Sequence, residues 1–121
     1  MRILKTKWFA KFASKEGISD EKLITAVEDA EAGIIDADYG GGVIKQRIAR
    51  PKEGKSGGYR SIILYRKEDK AFFVYGFAKN VMENIDKADV KGFKKLAKVM
   101  LDLTDGELKT LLKNKEIEEV E

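Results

Sequence analysis

Three cationic residues on two consecutive predicted strands have the types and spacing that phosphodiester chemistry needs. In residues 43–49, apolar side chains alternate with Lys45 and Arg47, so these two cations share the polar face of one strand. Arg60 begins the next strand, directly after Gly-Gly-Tyr. If Arg60 faces the same side, the three side chains converge on one patch. Fixed cations in such a patch stabilise the negative charge that develops on phosphate oxygens during phosphodiester cleavage.

The same three cations also fit an interpretation without chemistry. An exposed strand face is polar because it contacts water, and an arginine at a strand start is commonly solvated or paired with a carboxylate. The loop between the two strands is long, so the sequence alone does not determine the register of the hairpin. Both interpretations of Lys45, Arg47 and Arg60 stay open at this level.

Lys79 and Asn80 form a second candidate group. They follow the apolar run of residues 71–78, at the exit of a third predicted strand. In an antiparallel hairpin the end of one strand lies beside the start of its partner, so we expect both residues close to Arg60. A loop at a strand end favours polar residues as well, and the pattern does not separate the two explanations.

The strand tyrosines allow two interpretations. Tyr59, Tyr65 and Tyr75 lie in the second and third predicted strands, and each could stack on an unpaired nucleobase. Their apolar neighbours favour packing within the sheet instead.

Charge is unevenly distributed along the chain. The net charge is +3, but residues 43–70 hold nine basic and three acidic residues, whereas residues 20–38 hold seven carboxylates and one lysine. The loop between the first two strands contributes Arg50, Lys52 and Lys55 to the basic segment. This distribution suggests a polyanion bound at one face. A solvated edge hairpin, in which lysines oppose aggregation, is the alternative.

The composition excludes several kinds of site. The chain has no cysteine and no histidine, so catalysis must use Lys, Arg, Tyr or carboxylates. The carboxylate pairs Asp36/Asp38 and Asp86/Asp89 could be metal ligands, but helix caps and turns explain them equally well, so we expect no metal ion. No Walker-type loop is present, and we expect no cofactor. No apolar run approaches the roughly 20 residues of a membrane helix and no signal-peptide pattern opens the chain, which predicts a cytoplasmic protein without a membrane partner.

Hydrophobic periodicity predicts helices at both ends of the chain. An apolar stripe that starts at Trp8 indicates a first helix ended by Gly17, and Ser19 looks like the N-cap of a second helix that runs to about Gly33. A lysine-rich amphipathic helix starts near Asp89. The sequence Thr-Asp-Gly-Glu at residues 104–107 is a capping box for a last helix, which the acidic tail follows.

Between these helices the sequence predicts a small antiparallel meander. Its strands are residues 43–49, 59–66 and 71–78, and the third is apolar on both faces, as expected for a strand covered on both sides. Residues 2–5 are a further candidate strand. We therefore predict one α+β domain over residues 1–121, with the N-terminal helices packed on one face of the sheet and a C-terminal helix.

Several segments together resemble the RelE/ParE superfamily, and most closely the RelE/HigB-like branch of bacterial type II toxin–antitoxin systems. These segments are "VIKQRIARP", "GKSGGYR", "AFFVYGFAKN" and the closing lysine-rich helix, and the resemblance covers residues 8–103, with 104–121 as a C-terminal helix and acidic tail. It implies a RelE-like fold and a toxin that inhibits translation by cutting mRNA on the ribosome, without a metal ion, through attack by the ribose 2′-hydroxyl. It also implies a cognate antitoxin that covers the basic groove, and contact with operator DNA only through that antitoxin.

The resemblance assigns roles by position. Lys45 and Arg47 match the catalytic cations of the family's strand, Arg60 matches the arginine that stabilises the phosphate, and Lys79–Asn80 matches the cation at the exit of the third strand. Asn80 stands where RelE itself has an arginine, and the helix after it lacks the expected Tyr or His. Lys45 and Lys79 are then the candidates for proton transfer. The residues expected to contact RNA besides these are Arg50, Lys52, Lys55 and Tyr65.

Two other functions are compatible with the same resemblance. A ParE-like inhibitor of DNA gyrase shares the fold but acts by binding a protein. An inactive relative would serve only in an antitoxin–operator complex. The clustered cations on the groove strands favour RNA over the first of these.

Overall fold

The computed structural model describes residues 1–48, 58–79 and 85–121 of the chain. In these residues six strands are present: β1 (Arg2–Thr6), β2 (Ala37–Gly40), β3 (Val43–Ile48), β4 (Tyr59–Arg66), β5 (Lys70–Ala78) and β6 (Ile117–Glu119). The helices are α1 (Lys7–Glu16), α2 (Asp20–Glu31), α3 (Lys87–Met100) and α4 (Asp105–Lys113). The predicted α+β class is confirmed. Within the described ranges, no helix has the length and apolar character needed to cross a membrane.

All six strands belong to one sheet, in the order β2-β3-β4-β5-β1-β6. The predicted meander is its centre, because β3, β4 and β5 pair antiparallel in succession. The whole sheet is mixed, because β1 pairs parallel with β5. A parallel pair needs a long connection between its strands. Here the connection from β1 to β5 consists of all the elements from α1 to β4.

Two strands were not expected from the sequence. β2 has only four residues, ends in glycine and pairs antiparallel with β3. The acidic tail contains β6, which pairs antiparallel with β1, and its Ile117 and the following Val120 are buried. Both segments are too short for their alternation to be recognised as strand periodicity.

The sheet is covered on both faces. One face, the helix-pair face, packs on α1 and α2; its buried cluster includes Ile44, Ile48, Tyr59, Ile63 and Phe73 from the strands and Phe9, Leu23 and Val27 from the helices. The opposite face, the α3 face, packs on α3 and α4; its cluster includes Val43, Ile62, Leu64 and Phe72 with Ala97, Leu101 and Leu108. β5 contributes to both clusters, as predicted for a strand covered on both sides.

The helix ends follow local sequence signals. Gly17 has a φ of 68° and ends α1 in the left-handed conformation that glycine adopts without strain. Thr104 and Glu107 form the predicted capping box at the start of α4. α3 begins two residues before Asp89, because the Asp86 carboxylate accepts a hydrogen bond of 2.8 Å from the Asp89 N–H.

Gly76→Ala is expected to lower the free energy of unfolding by about 1–3 kcal/mol. A Cβ atom at Gly76 would lie 2.4 Å from the ring of Phe12. That ring packs against Trp8, Phe9 and Tyr59, with ring centroids 5.6, 5.6 and 5.8 Å away, so it cannot move aside without losing contacts. Urea unfolding of the purified variant measures the loss.

Gly92→Ala is the matched control. Gly92 is exposed in α3, and an added Cβ would have no neighbour within 4 Å. The same substitution should therefore raise the free energy of unfolding by about 0.5–1 kcal/mol through helix propensity. Equal changes of stability in the two variants would contradict the packing argument for Gly76.

Candidate functional site

The pairing of β3 with β4 decides whether the strand cations share a face. Arg47 pairs with Arg60, and Lys45 pairs with Ile62. Directly paired residues of antiparallel strands project to the same side of the sheet. Ile62 belongs to the cluster of the α3 face, so all three cations project from that face. The hairpin register thus supplies the geometry that the sequence left open.

A carboxylate lies between two of these cations. Asp36 Oδ2 is 3.3 Å from Arg60 Nε and 3.5 Å from Lys45 Nζ. The Arg60 side chain is only 8% exposed and the Lys45 side chain 13%, against 27% for Asp36. Arg60 also donates a hydrogen bond of 3.4 Å from Nη1 to the carbonyl of Tyr59. The result is a partly buried cluster, which we call the Asp36 cluster, in which one carboxylate oxygen contacts two cations.

Gln46 fixes the position of Asp36. Its side chain is buried, and its Oε1 accepts a hydrogen bond of 3.0 Å from the Asp36 N–H. Its Nε2 donates to the carbonyls of Ala26 and Ile34, at 2.9 and 2.8 Å. The segment between α2 and β2 is therefore held to β3, and a buried amide with these bonds has few alternative positions.

Tyr39 adjoins the same cluster from β2. Burial raises the pKa of the Tyr39 hydroxyl, and the negative charge of Asp36 raises it further. Tyr39 lines a cavity of about 370 Å³ between β2 and the start of α3; the other lining residues are Ile85, Lys87, Val90, Lys91 and Lys94. A hydroxyl that keeps its proton here can act as a hydrogen-bond donor beside three lysines.

The backbone of Lys79 lies beside the start of β4, and Arg47 pairs with Arg60 near the end of β3. The Lys79 N–H donates to the carbonyl of Gly58 at 3.3 Å, so the exit of β5 lies beside the start of β4, as expected. Arg47 is exposed and, with Lys22, Thr25 and Asp29 of α2, takes part in the lining of a cavity of about 170 Å³. The Arg47 side chain therefore lies at the outer edge of β3.

Tyr65 lies on the opposite face of the sheet. It packs against the cluster of the helix-pair face, and its hydroxyl donates a hydrogen bond to Glu31 of α2. Burial and this bond to Glu31 both raise the pKa of Tyr65 well above its usual range. The structure does not bring Tyr65 to Lys45 and Arg60, and we leave it out of the proposed RNA surface.

Two further cations of the basic segment have structural contacts. Arg66 donates to the carbonyl of Leu101 at 2.8 Å and pairs with Asp102 at 2.9 Å. Lys70 is buried and donates to the carbonyls of Leu101 and Leu103, at 3.3 and 2.9 Å. These contacts satisfy carbonyls at the end of α3, where cations are favourable.

The remaining candidates do not lie in the described ranges. Arg50, Lys52, Lys55 and Asn80 fall between residues 48 and 58 or between 79 and 85. Among the described residues, no group of three or more His, Cys, Asp or Glu could hold a metal ion. Asp38 accepts a hydrogen bond of 2.8 Å from the Gly40 N–H, which is the turn role expected for it.

Sequence reasoning missed three members of the site. It assigned Asp36 to a turn or cap and gave Gln46 and Tyr39 no role. β2 carries Asp36 and Tyr39 to the cationic strands by bringing Ala37 opposite Lys45, and its four residues are too few to show strand periodicity in the sequence.

The Asp36 cluster can hold an anionic oxygen. Lys45 and Arg60 already hold one carboxylate oxygen, and a phosphate oxygen has similar charge and hydrogen-bonding capacity. A phosphate that entered the site would compete with Asp36 for Arg60. The other guanidinium donors of Arg60 and the ammonium group of Lys45 would then contact phosphate oxygens on which negative charge develops.

One comparison with known proteins identifies a family. A family model described as the RelE toxin of the RelE/RelB toxin–antitoxin system matches residues 1–120. The match includes β1, α4 and β6, which lie outside the segments that carried the resemblance. None of the curated proteins matches the chain significantly.

Proposed function

Because the chain belongs to the RelE toxin family of toxin–antitoxin systems, we propose that it is a ribosome-dependent mRNA endoribonuclease that inhibits translation. The observation that carries this proposal is the contact of Lys45 and Arg60 with one carboxylate oxygen on the α3 face. Toxins of this family are generally endoribonucleases. The assignment to the HigB-like branch is part of the same proposal.

The proposed reaction needs no group other than the protein and the RNA. The 2′-oxygen of a ribose attacks the adjacent phosphorus, so a 2′-O–P bond forms while the P–O5′ bond breaks. A base on the protein accepts the 2′-hydroxyl proton, and an acid delivers a proton to the departing 5′-oxygen. The products are a 2′,3′-cyclic phosphate and a 5′-hydroxyl.

The residues of the Asp36 cluster have distinct roles in this scheme. Arg60 and Lys45 hold the phosphate oxygens, where their charges stabilise the transition state more than the ground state. Lys45 and Lys79 stay candidates for the proton transfers, with Asn80 beside Lys79. Asp36 adds a further proton acceptor, since a phosphate bound at Arg60 would release its carboxylate.

Additional cations hold the RNA backbone beyond the Asp36 cluster. Arg47 extends the cationic row to the edge of β3, and the loop residues Arg50, Lys52 and Lys55 would continue it. These contacts are electrostatic and make affinity dependent on salt.

Membership of the family implies a cognate antitoxin as partner. In our proposal the antitoxin covers Lys45, Arg47 and Arg60 and blocks access to RNA, and the toxin reaches operator DNA only through the antitoxin. The other partners are the ribosome and its mRNA. The proposed place of action is therefore the cytoplasm, where mRNA is translated.

Induced expression with mapping of mRNA 5′ ends tests the proposal. We expect growth arrest, cuts at defined codons of translated messages, and cleavage by the purified protein only when mRNA is loaded on ribosomes. Co-expression of the cognate antitoxin should restore growth. An intact message pool with failed DNA supercoiling would favour gyrase inhibition instead, and the absence of any growth phenotype would favour an inactive relative.

A further inference from the structure

Trp8 is the only tryptophan in the chain and one of its most exposed large apolar residues. Trp8 lies in the first turn of α1, and 47% of its surface is exposed to solvent. Its indole stacks on Tyr75 with a centroid distance of 4.7 Å and an interplanar angle of 29°, and on Phe12 at 5.6 Å and 12°. A large aromatic surface that is rigidly held and left in water is a common feature of binding sites.

The topology explains why Trp8 reaches this position. β1 pairs with β5 only as far as Phe73, and α1 begins directly after β1. The first turn of α1 therefore lies beside the later part of β5, where β1 no longer pairs. Trp8 thus contacts Tyr75 across that edge.

Tyr75 connects the indole to the cationic face. Tyr75 pairs with Ile62, which in turn pairs with Lys45, so these three residues form one row across the α3 face. The next row consists of Phe77, Arg60 and Arg47. Tyr75, on which the indole stacks, therefore lies on the same face as the cations, with its backbone two interstrand spacings or about 10 Å from that of Lys45.

This arrangement has the two parts that a site for single-stranded nucleic acid requires. Such sites combine cations that follow the phosphates with aromatic rings on which bases stack. A nucleotide whose phosphate contacts Arg60 or Lys45 can direct a neighbouring base toward Tyr75 and Trp8. Lys7, directly before Trp8, and Lys11, three residues after it, are exposed and add positive charge to the start of α1.

We propose that the exposed surface of Trp8, supported by Tyr75, is a stacking subsite for an unpaired nucleobase of the RNA whose phosphates the β3 and β4 cations hold. The inference rests on the proposed function and adds a binding subsite to it. A protein partner is the competing occupant, since exposed aromatics also occur at protein interfaces. The cations of the two rows favour RNA, because they complement phosphate charge on the face where Tyr75 contacts the indole.

Intrinsic fluorescence provides the first test, because Trp8 is the sole indole. A six-nucleotide oligoadenylate, titrated at low salt into the full-length protein, is expected to quench the Trp8 emission through stacking. Polyphosphate of equal charge is the control and should leave the emission nearly unchanged. Absence of quenching by the oligoadenylate overturns the proposal.

Two variants separate stacking from simple apolar cover. Trp8→Leu keeps an apolar side chain over β5 but removes the ring, so the affinity for a labelled oligoadenylate should fall about 5- to 20-fold, at the low end of the range for one stacked base. Trp8→Phe retains a ring and should recover part of that loss. The dependence of affinity on salt should be the same in all three proteins, because the phosphate contacts are unchanged.

Val99→Ser is the matched control, because Val99 is 64% exposed on α3 and should not affect RNA affinity. If Trp8→Leu binds oligoadenylate like the unaltered protein but no longer binds the antitoxin, the surface is a protein interface and the proposal is wrong. The proposed catalytic function is tested separately: quenching without ribosome-dependent cleavage would overturn that function and leave the stacking subsite supported. Ribosome-dependent cleavage without quenching would support the catalytic function and overturn the stacking subsite.

Discussion

Arg60→Ala is expected to abolish growth arrest and to lower the rate of ribosome-dependent mRNA cleavage by about 10²- to 10³-fold, the usual effect of losing one donor to a developing oxyanion. Arg60 lies near the start of the central strand β4, and its guanidinium is oriented by Asp36 and by the Tyr59 carbonyl. An oriented guanidinium needs little reorganisation when charge develops on the phosphate. The measurement is single-turnover cleavage of mRNA on programmed ribosomes.

Arg66→Ala is the matched control for this loss. Arg66 lies at the other end of β4 and contacts the end of α3, away from the Asp36 cluster. Its removal should cost some stability but leave the cleavage rate nearly unchanged. Arg60→Lys keeps the charge without the planar fork and should recover only part of the rate. Full toxicity of a folded Arg60→Ala protein would remove Arg60 from the proposed mechanism.

Asp36→Asn is expected to lower the free energy of unfolding by about 1–3 kcal/mol. Removing one partner of a fully buried ion pair costs about 3–5 kcal/mol, because the remaining charge stays uncompensated. Here the cost is smaller, because the Asp36 side chain is 27% exposed and asparagine can still accept a hydrogen bond. Arg60, at 8% exposure, is the group left without its carboxylate contact. Urea unfolding of the purified variant measures the change.

Asp38→Asn provides the comparison two residues away. Asp38 makes an exposed turn hydrogen bond to the Gly40 N–H, and asparagine can accept the same bond. The free energy of unfolding of the Asp38→Asn variant should change by less than about 0.5 kcal/mol, as for most surface substitutions. A loss of equal size in the Asp36 and Asp38 variants would show that the ion pairs to Lys45 and Arg60 contribute no net stability.

Local signals carried the prediction of the central elements. Alternation marked β3, the apolar run after Gly57-Gly58 marked β4, and the doubly apolar run marked β5. Gly17 and the Thr104 capping box marked helix ends. These features depend on neighbouring residues only, so they can be recognised in sequence. β2 and β6 could not, because a strand of three or four residues is stabilised by its partner strand rather than by its own pattern.

The site shows the same division. Alternation placed Lys45 and Arg47 on one face, and the structure agrees. Whether Arg60 joins them depended on a register across a long loop, which the periodicity of either strand does not contain. Asp36 and Tyr39 joined the cations only because β2 pairs with β3, and Trp8 approached Tyr75 only because the β1–β5 pairing ends at Phe73.

The sequence by itself determined the α+β class, the cationic character of the strand face and the absence of histidine and cysteine chemistry, since composition and short-range periodicity express these directly. The tertiary structure alone decided which groups meet: a carboxylate between Lys45 and Arg60, and an exposed indole beside the cationic rows. The physical reason is that such meetings depend on long-range strand pairing and helix packing. Those are properties of the whole chain and cannot be recognised from the sequence of any single segment.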